Sequence, residues 1–343
     1  VSVHHLQPSE HQRWEDFVKA APGAHAYHRA GWTSVIERAF GQQTYKLISE
    51  DASGSVNGIL PLARLRSRLF GDFLVSLPYL NYGGPCAIDA ETESRLVDEA
   101  VRLAREENVQ HLELRLTAPE GFGLHVKASK VSMRLALAED ADSLWKSFPS
   151  KLRNQVNRPI KEGMVARVGG LEELDAFYRV FSINMRDLGT PVYSRAFFET
   201  VLREFGPDCR IVSVYYQNQP VASGFLVGFK DTLEIPWASS LRSVNRLAPN
   251  MLLYWSVLKY AADQGYRVFD FGRSSPDAGT YRFKEQWGAK PLPLYWHYWV
   301  RPGGKVPDLS PANPKYRVAI DIWKRLPLSV TNLIGPAIVR NIP

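Results

Sequence analysis

Residues 249–288 read PNMLLYWSVLKYAADQGYRVFDFGRSSPDAGTYRFKEQWG, and the punctuation of this stretch decides the architecture. Pro249 suits the first position of a helix, where its missing N–H is no loss. Mostly apolar residues run on to Gln264, and Gly265 supplies the left-handed residue that closes such a helix. Val268 to Phe271 follows as a short strand. Gly272 to Gly279 then holds Ser274, Ser275 and Asp277 in a loop whose glycines allow unusual backbone angles. Tyr281, Arg282, Phe283, Lys284 and Trp287 set three aromatics beside two cations. A polar loop next to such a cluster is a candidate site. Asp270-Phe271-Gly272 also occurs in protein kinases, but the Gly-rich loop, the VAIK-type lysine and the HRD motif that a kinase needs upstream are missing.

Working outward, the same order of elements appears twice. The second half reads as helices at Leu171–Asp187 and Arg195–Phe205, then a hairpin of Arg210–Gln217 and Pro220–Phe229 over Asn218 and Gln219. A strand at Thr232–Ala238, the Pro249 helix and the Val268 strand follow. The first half reads as helices at Trp14–Ala20 and Gly31–Phe40, then strands at Tyr45–Glu50, Val56–Arg66 and Phe73–Leu77. A rigid loop, Pro78 to Pro85 (PYLNYGGP), a helix at Thr92–Asn108 and a strand at His111–Leu116 complete it. The expectation is an α/β protein built from two copies of one unit, 1–138 and 139–300, with a Pro-rich and then helical segment at 301–343.

Two further constellations lie in the second half. In KLRNQVNRPIKEG (Lys151 to Gly163), Lys151, Asn154, Arg158 and Lys161 share one helical face, which suits phosphate or carboxylate groups or is a solvated basic face. Pro159 predicts a kink or a helix end there. The run Trp237-Ala238-Ser239-Ser240 ends a strand in small hydroxyl residues, and free backbone N–H groups near Ser239 could polarise a carbonyl. Asn250, in the first turn of the Pro249 helix, adds donors and the positive end of a helix dipole.

Composition narrows the class. The chain has 343 residues, 45% hydrophobic and 22% charged, which is ordinary for globular domains and suggests two of them. The net charge of +7 leaves room for a polyanionic partner, including tRNA. Two distant cysteines, Cys86 and Cys209, exclude a disulfide framework, and the eight His show no metal-ligand spacing, so no metal is expected. Val1 to Glu10 lacks the apolar core of a signal peptide, no 18-residue apolar run occurs, and a cytoplasmic location is expected.

The run Pro249-Asn250-Met251-Leu252-Leu253-Tyr254-Trp255, with Gly265-Tyr266, Phe269-Asp270-Phe271-Gly272, Tyr281-Arg282-Phe283-Lys284 and Gly288, resembles the FemABX family of the GNAT superfamily. Those enzymes add amino acids from aminoacyl-tRNA to peptidoglycan precursors. Gly272-Arg273-Ser274-Ser275 and Gly279-Thr280-Tyr281 look closer still to the FemAB-related proteins of exopolysaccharide loci of the PEP-CTERM/exosortase type. The resemblance covers most of the second half and the first half loosely. It implies two tandem GNAT-like domains and acyl or aminoacyl transfer to an amine, with Lys284 neutralising charge at the reacting group. Arg273 stands where the peptidoglycan enzymes commonly have a second glycine, and Pro159 interrupts their basic helix.

On this reading Lys284 and Arg273 stabilise negative charge or hold a phosphate, and Asp270 or Tyr281 relays a proton, unless Asp270 only braces Arg273. Lys151, Arg153, Asn154, Arg158, Trp237, Ser239, Asn250, Tyr254, Ser274, Ser275 and Trp287 are the candidate substrate-binding residues. No tightly bound cofactor is expected. The donor would be acyl-CoA, acyl carrier protein or aminoacyl-tRNA, and the acceptor a saccharide- or peptide-type amine, free or lipid-linked. The segment from Arg317 onward is expected to pack back on the first domain, with a peripheral contact at the inner membrane as the alternative. A nucleic-acid-binding module and a non-catalytic scaffold of the same fold are the rival classes.

Overall fold

The computed structural model describes residues 2–68, 70–119, 121–307 and 317–343. The chain divides into two compact units. The first is Val1–Lys130 with Pro293–Ser310 and Val339–Pro343, and the second is Val131–Leu292 with Pro311–Ile338. Residues 308–316 of the expected C-terminal segment lie outside the described residues. Most of the segment's remainder belongs to the second unit, and only its last residues and those before Ser310 to the first.

In the first unit, β1 (Ser2–His5), α1 (His11–Ala20), α2 (Gly31–Phe40), β2 (Gln43–Glu50), β3 (Val56–Ser67) and β4 (Gly71–Val75) lead to β5 (Cys86–Ala87), α3 (Ala90–Glu106) and β6 (His111–Leu116). The strand Lys290–Val300, β13, pairs with β6. The strand order is β1-β2-β3-β4-β6-β13, and β4 and β6 run parallel. Asp89 caps α3 by accepting from the Thr92 amide at 2.7 Å, with Glu91 and Glu93 on the positive end of the dipole. Leu96, Ala100 and Leu103 of α3 then pack on Leu60, Leu62, Leu112 and Leu114 of the sheet. His4, Glu10 and Glu50 bring ligand atoms within 4.8 Å of one another. Arg13 forms ion pairs with both carboxylates, so that group is a charge network.

The β4–β6 pairing reaches Val75↔Glu113, and the chain beyond folds back into the space that follows. The Ser76 amide donates to Glu113 O at 2.9 Å, and those of Gly83 and Gly84 to Arg115 O at 3.1 and 2.9 Å. Gly84 must be glycine, because a Cβ there would sit 3.0 Å from that same carbonyl oxygen. The loop Pro78 to Pro85 is thus a plug. Buried Arg115 anchors it, donating to Leu80 O and pairing with Glu113 at 2.7 Å.

The second unit repeats the scheme. It comprises β7 (His125–Ala136) from Val131 on, α4 (Ala141–Ser147), α5 (Ser150–Lys161), β8 (Val165–Gly169), α6 (Leu174–Leu188) and α7 (Arg195–Phe205). The hairpin β9 (Cys209–Tyr216) and β10 (Gln219–Phe229) follows, then β11 (Thr232–Ser240), α8 (Pro249–Asp263), β12 (Val268–Ser274) and α9 (Gly279–Glu285). The order is β7-β12-β11-β10-β9-β8, with β11 and β12 parallel. Helices α4, α5 and α8 cover one face through Leu144, Phe148, Leu152, Val156, Val257 and Leu258. Phe177, Phe181 and Phe198 of α6 and α7 meet one another and Phe225 on the other. The last helices, α10 (Arg317–Trp323) and α11 (Leu328–Val339), pack on the α6–α7 connection, where Gly189 meets Ile320 and Gly335 meets Val192.

Three local expectations change. The β9–β10 turn is Gln217-Asn218, both at positive φ, because a two-residue hairpin needs that hand to match strand twist. Pro159 does not stop α5, since it sits buried in the last turn, where the helix is ending anyway. Strand β11 runs on through Ser240, which pairs with Ala222.

Candidate active site

β11 and β12 pair from Thr232↔Val268 to Glu234↔Asp270 and then part. Beyond this point β11 keeps, among the described residues, only β10 beside it, in the register Trp237↔Phe225 to Ser240↔Ala222. Leu241 N donates to Val221 O at 2.8 Å, which fixes the alternation. Residues 237, 239 and 241 point their backbone groups at β10, and 236, 238 and 240 point theirs away. Pro236 therefore sits inside a sheet without breaking a β10 bond. The amides of Ala238 and Ser240, on either side of Ser239, face the fork.

A cavity of about 320 Å³ occupies this fork. Its walls are Ala238, Ser239 and Ser240 of β11, Asn250, Leu253 and Tyr254 from the start of α8, Gly279, Thr280, Phe283 and Lys284 of α9, and Asn184 of α6. Ala248 adopts a left-handed φ of 56°, and Pro249 starts α8, so Asn250 enters the wall in the first turn. Asn184 Nδ2 donates to Ser239 Oγ at 3.0 Å. Tyr254 stacks on Phe271 with ring centroids 5.5 Å apart, and burial pushes its phenol pKa up.

Lys284 is the cation of this wall, and only 6% of it is exposed. Its Nζ donates to Gly272 O at 2.9 Å and Arg273 O at 3.0 Å. The local cause is a register shift of β12 against β7 between Asp270 and Arg273, with Gly272 at a φ of 73°. Asp270 is fully buried and fixes this bend. It accepts from the Gly272 amide at 2.8 Å, from Arg134 Nε at 3.0 Å and from Ser132 Oγ. Burial pushes the Lys284 pKa down to about 8, while Asp270 and Glu234 oppose the fall and Arg273 adds to it. As an ammonium it has three N–H donors, and two carbonyls take two of them, leaving one for a ligand in the cavity.

The fork of the first unit is built alike. Glu113 and Asp270 stand at the last parallel pair of their strands, both buried and both paired with an arginine. Two residues on, the carbonyl oxygens of Arg115 and Gly272 turn into the fork. Loop amides satisfy the first and the Lys284 side chain the second. One fork is filled by its own chain, and the other holds a cavity.

Of the residues singled out from sequence, Lys284, Ser239, Asn250 and Tyr254 meet in the cavity wall. Arg273 contributes its carbonyl to Lys284, while its side chain is exposed. Asp270 braces Arg134 and the Gly272 amide. Trp237 packs on Phe197, Phe198 and Phe225, and Trp287 on Phe148, so both are core. Ser274 is buried in β12, Ser275 forms a turn with Ala278, and Tyr281 packs half-buried against the core. Lys151, Asn154 and Arg158 lie exposed on α5 with Arg153 half-buried, outside the cavity wall. Sequence reasoning missed Asn184, and it quoted Ser240, Leu253, Thr280 and Phe283 within longer runs without singling them out as wall residues. The helical spacing of α9 would have paired Thr280 and Phe283 with Lys284 had that helix been foreseen.

Residues 147–285 match the family described as the acetyltransferase (GNAT) domain. The UDP-N-acetylmuramoylpentapeptide-lysine N(6)-alanyltransferase of Weissella viridescens is 22% identical over 308 residues, covering 81% of this chain and 89% of that one. Among solved structures, FemX superposes with a TM-score of 0.67 at 14% identity, over 93% of this chain and 100% of its own. A tandem GNAT protein from the clavulanic acid pathway does so with a TM-score of 0.53 at 14% identity, over 89% of this chain and 99% of its own. The two units are tandem GNAT-like domains of mixed α/β architecture.

Proposed function

We propose that this chain, an N-acyltransferase of the GNAT type, transfers an aminoacyl or acyl group to an amine of a cell-envelope precursor, using the fork of the second unit. The single observation that supports this most is Lys284, a buried cation on the wall of a cavity that main-chain amides also face. Such a wall suits a carbonyl whose oxygen gains charge during attack.

The acceptor amine attacks the carbonyl carbon of the activated donor. A C–N bond forms, the C–O or C–S bond to the carrier breaks, and the amine proton leaves with solvent or the departing group. Lys284 and the amides of Ala238 and Ser240 stabilise the oxyanion, and Asn184, Ser239 and Asn250 orient the reactants. Asp270 acts through Gly272 as a positioning residue. Among the acceptors weighed, a peptide amine of a peptidoglycan precursor has the support of the Weissella relative's activity, and an amine of an exopolysaccharide precursor is the variant of this reading. Aminoacyl-tRNA is the donor favoured, because the FemABX resemblance implies it and the Weissella relative transfers an alanyl group; the exposed stripe of α5 would meet its phosphates at the cytoplasmic face of the membrane.

The test is a transfer assay with purified chain. Charged tRNA, acetyl-CoA or acyl carrier protein is supplied with UDP-N-acetylmuramoylpentapeptide or an amino-sugar acceptor, and mass spectrometry follows the acceptor. An added aminoacyl or acyl mass that disappears with Lys284→Met supports the proposal. Equal product from folded Lys284→Met, or none with any pairing, ends it.

A further inference from the structure

Among the described residues, the clearest feature outside the transfer site is an apolar face on the C-terminal helices. In α11, Val330, Leu333, Ile334 and Ala337 recur at i, i+3, i+4 and i+7, and all are exposed, Leu333 to 79%. The opposite side turns Thr331 and Gly335 inward. Val318 and Ile322 form a second pair on α10, Val318 being 70% exposed. Leu188 is also exposed, next to Gly189 on which α10 rests. The 12 residues of α11 contain no charge, and a helix that apolar normally has both sides covered. The structure covers one.

The charges around this face indicate its occupant. Arg317, Lys324 and Arg325 are all exposed on the same segment, against Asp321 as its one acid. Lys324 and Arg325 sit at the corner between α10 and α11, next to the apolar stripe. The large side chains are aliphatic, and the aromatic Trp323 is buried. Protein-binding hot spots favour exposed Trp and Tyr, whereas aliphatic side chains rimmed by cations fit an anionic lipid surface. No helix of the described residues is long and apolar enough to cross a membrane. At 12 residues α11 falls well short of the ~20 that a spanning helix needs, so it would lie in the plane of the interface.

We infer that α10 and α11 form a peripheral docking surface for an anionic lipid bilayer, with Val318, Ile322, Val330, Leu333 and Ile334 entering the acyl boundary and Lys324 and Arg325 meeting the headgroups. The inference is independent of the transfer chemistry.

The experiment is co-sedimentation of the full chain with vesicles of phosphatidylcholine alone or with phosphatidylglycerol at about one third, across salt, with size-exclusion light scattering in parallel. Binding should need the anionic lipid and fall with salt. Lys324→Glu/Arg325→Glu should weaken it by roughly tenfold or more, and Leu333→Glu/Ile334→Glu by a similar factor. The altered side chains are exposed, so near-UV circular dichroism should match the parent. No binding to either vesicle, binding by both double variants as tight as the parent's, or a dimer that Leu333→Glu/Ile334→Glu dissolves would overturn the inference. The last result would give the face to a second copy of this chain. Capture of a protein partner through the face without vesicle binding would overturn it equally.

Discussion

Replacing Lys284 with methionine removes a cation and keeps most of the buried stem. The structure says how the two proteins should differ with pH. Burial holds the Lys284 pKa at about 8 in the folded chain against an ordinary 10.5. Below about pH 8 both folded and unfolded chains carry the proton, and the folded state bears the full penalty of a buried charge. Between about 8 and 10.5 the unfolded chain holds a proton that the folded one has released, so stability rises with pH in this window. At about 1.4 kcal/mol per pH unit the whole window is worth on the order of 3 kcal/mol. Urea unfolding of parent and Lys284→Met at pH 7.5, 8.5 and 9.5 isolates the effect, since every other group cancels in the difference. The parent should gain on the variant by about 2 kcal/mol over that range. A difference that stays flat, or that shrinks as pH rises, refutes both the burial argument and the lowered pKa. The transfer rate should move the other way. If the ammonium stabilises the oxyanion, kcat falls as pH climbs through about 8, and Lys284→Met loses roughly 10²–10³-fold with no such alkaline limb.

Asp270→Asn keeps the shape but takes from the bend a fully buried charge that holds Arg134, Ser132 and the Gly272 amide, and should destabilise by about 3 kcal/mol in urea titration. It also withdraws a charge that favours the Lys284 ammonium, so the alkaline limb of the rate profile should shift to lower pH. Trp237→Ala empties a core site among Phe197, Phe198 and Phe225 and should cost about 3–5 kcal/mol by the same measurement. Asn184→Ala frees Ser239 and should raise KM several-fold with about 1 kcal/mol of stability lost, read by steady-state kinetics and unfolding. Lys151→Glu/Arg158→Glu should leave stability within about 0.5 kcal/mol but weaken tRNA binding and flatten its salt dependence, measured by filter binding.

Much of the architecture was legible in the chain. Gly265 and Pro249 bracket α8 because each residue type has few other uses, and the doubled order of elements foretold two units. The hairpin turn was misplaced by one residue because Gln217 is an unusual occupant of positive φ. Helix α9 went unseen because seven residues carry too little periodicity to stand out from the loop before them. Lys284 was legible as a cation beside aromatics, but its partners were not. The carbonyls of Gly272 and Arg273 reach it through a register shift of β12 against β7, which exists only once β7 is in place. Trp237 and Trp287 looked like substrate-binding residues because the exposure of an aromatic cannot be read from the sequence on either side of it. Asn184 is brought to Ser239 by the packing of α6 on β10 and β11, and no local pattern announces it.

The plug in the first fork has a bearing on how each half can drift. Where the Pro78–Pro85 loop fills the gap, main chain answers main chain around the Arg115 anchor, and loop residues that fit sterically preserve the seal. On the proposed function, the counterpart of that loop in the second fork is the substrate, arriving from outside at every turnover. Selection can therefore retune what the second half accepts through a few side chains around the opening, while the amides of the diverging strand pass unchanged from one specificity to the next.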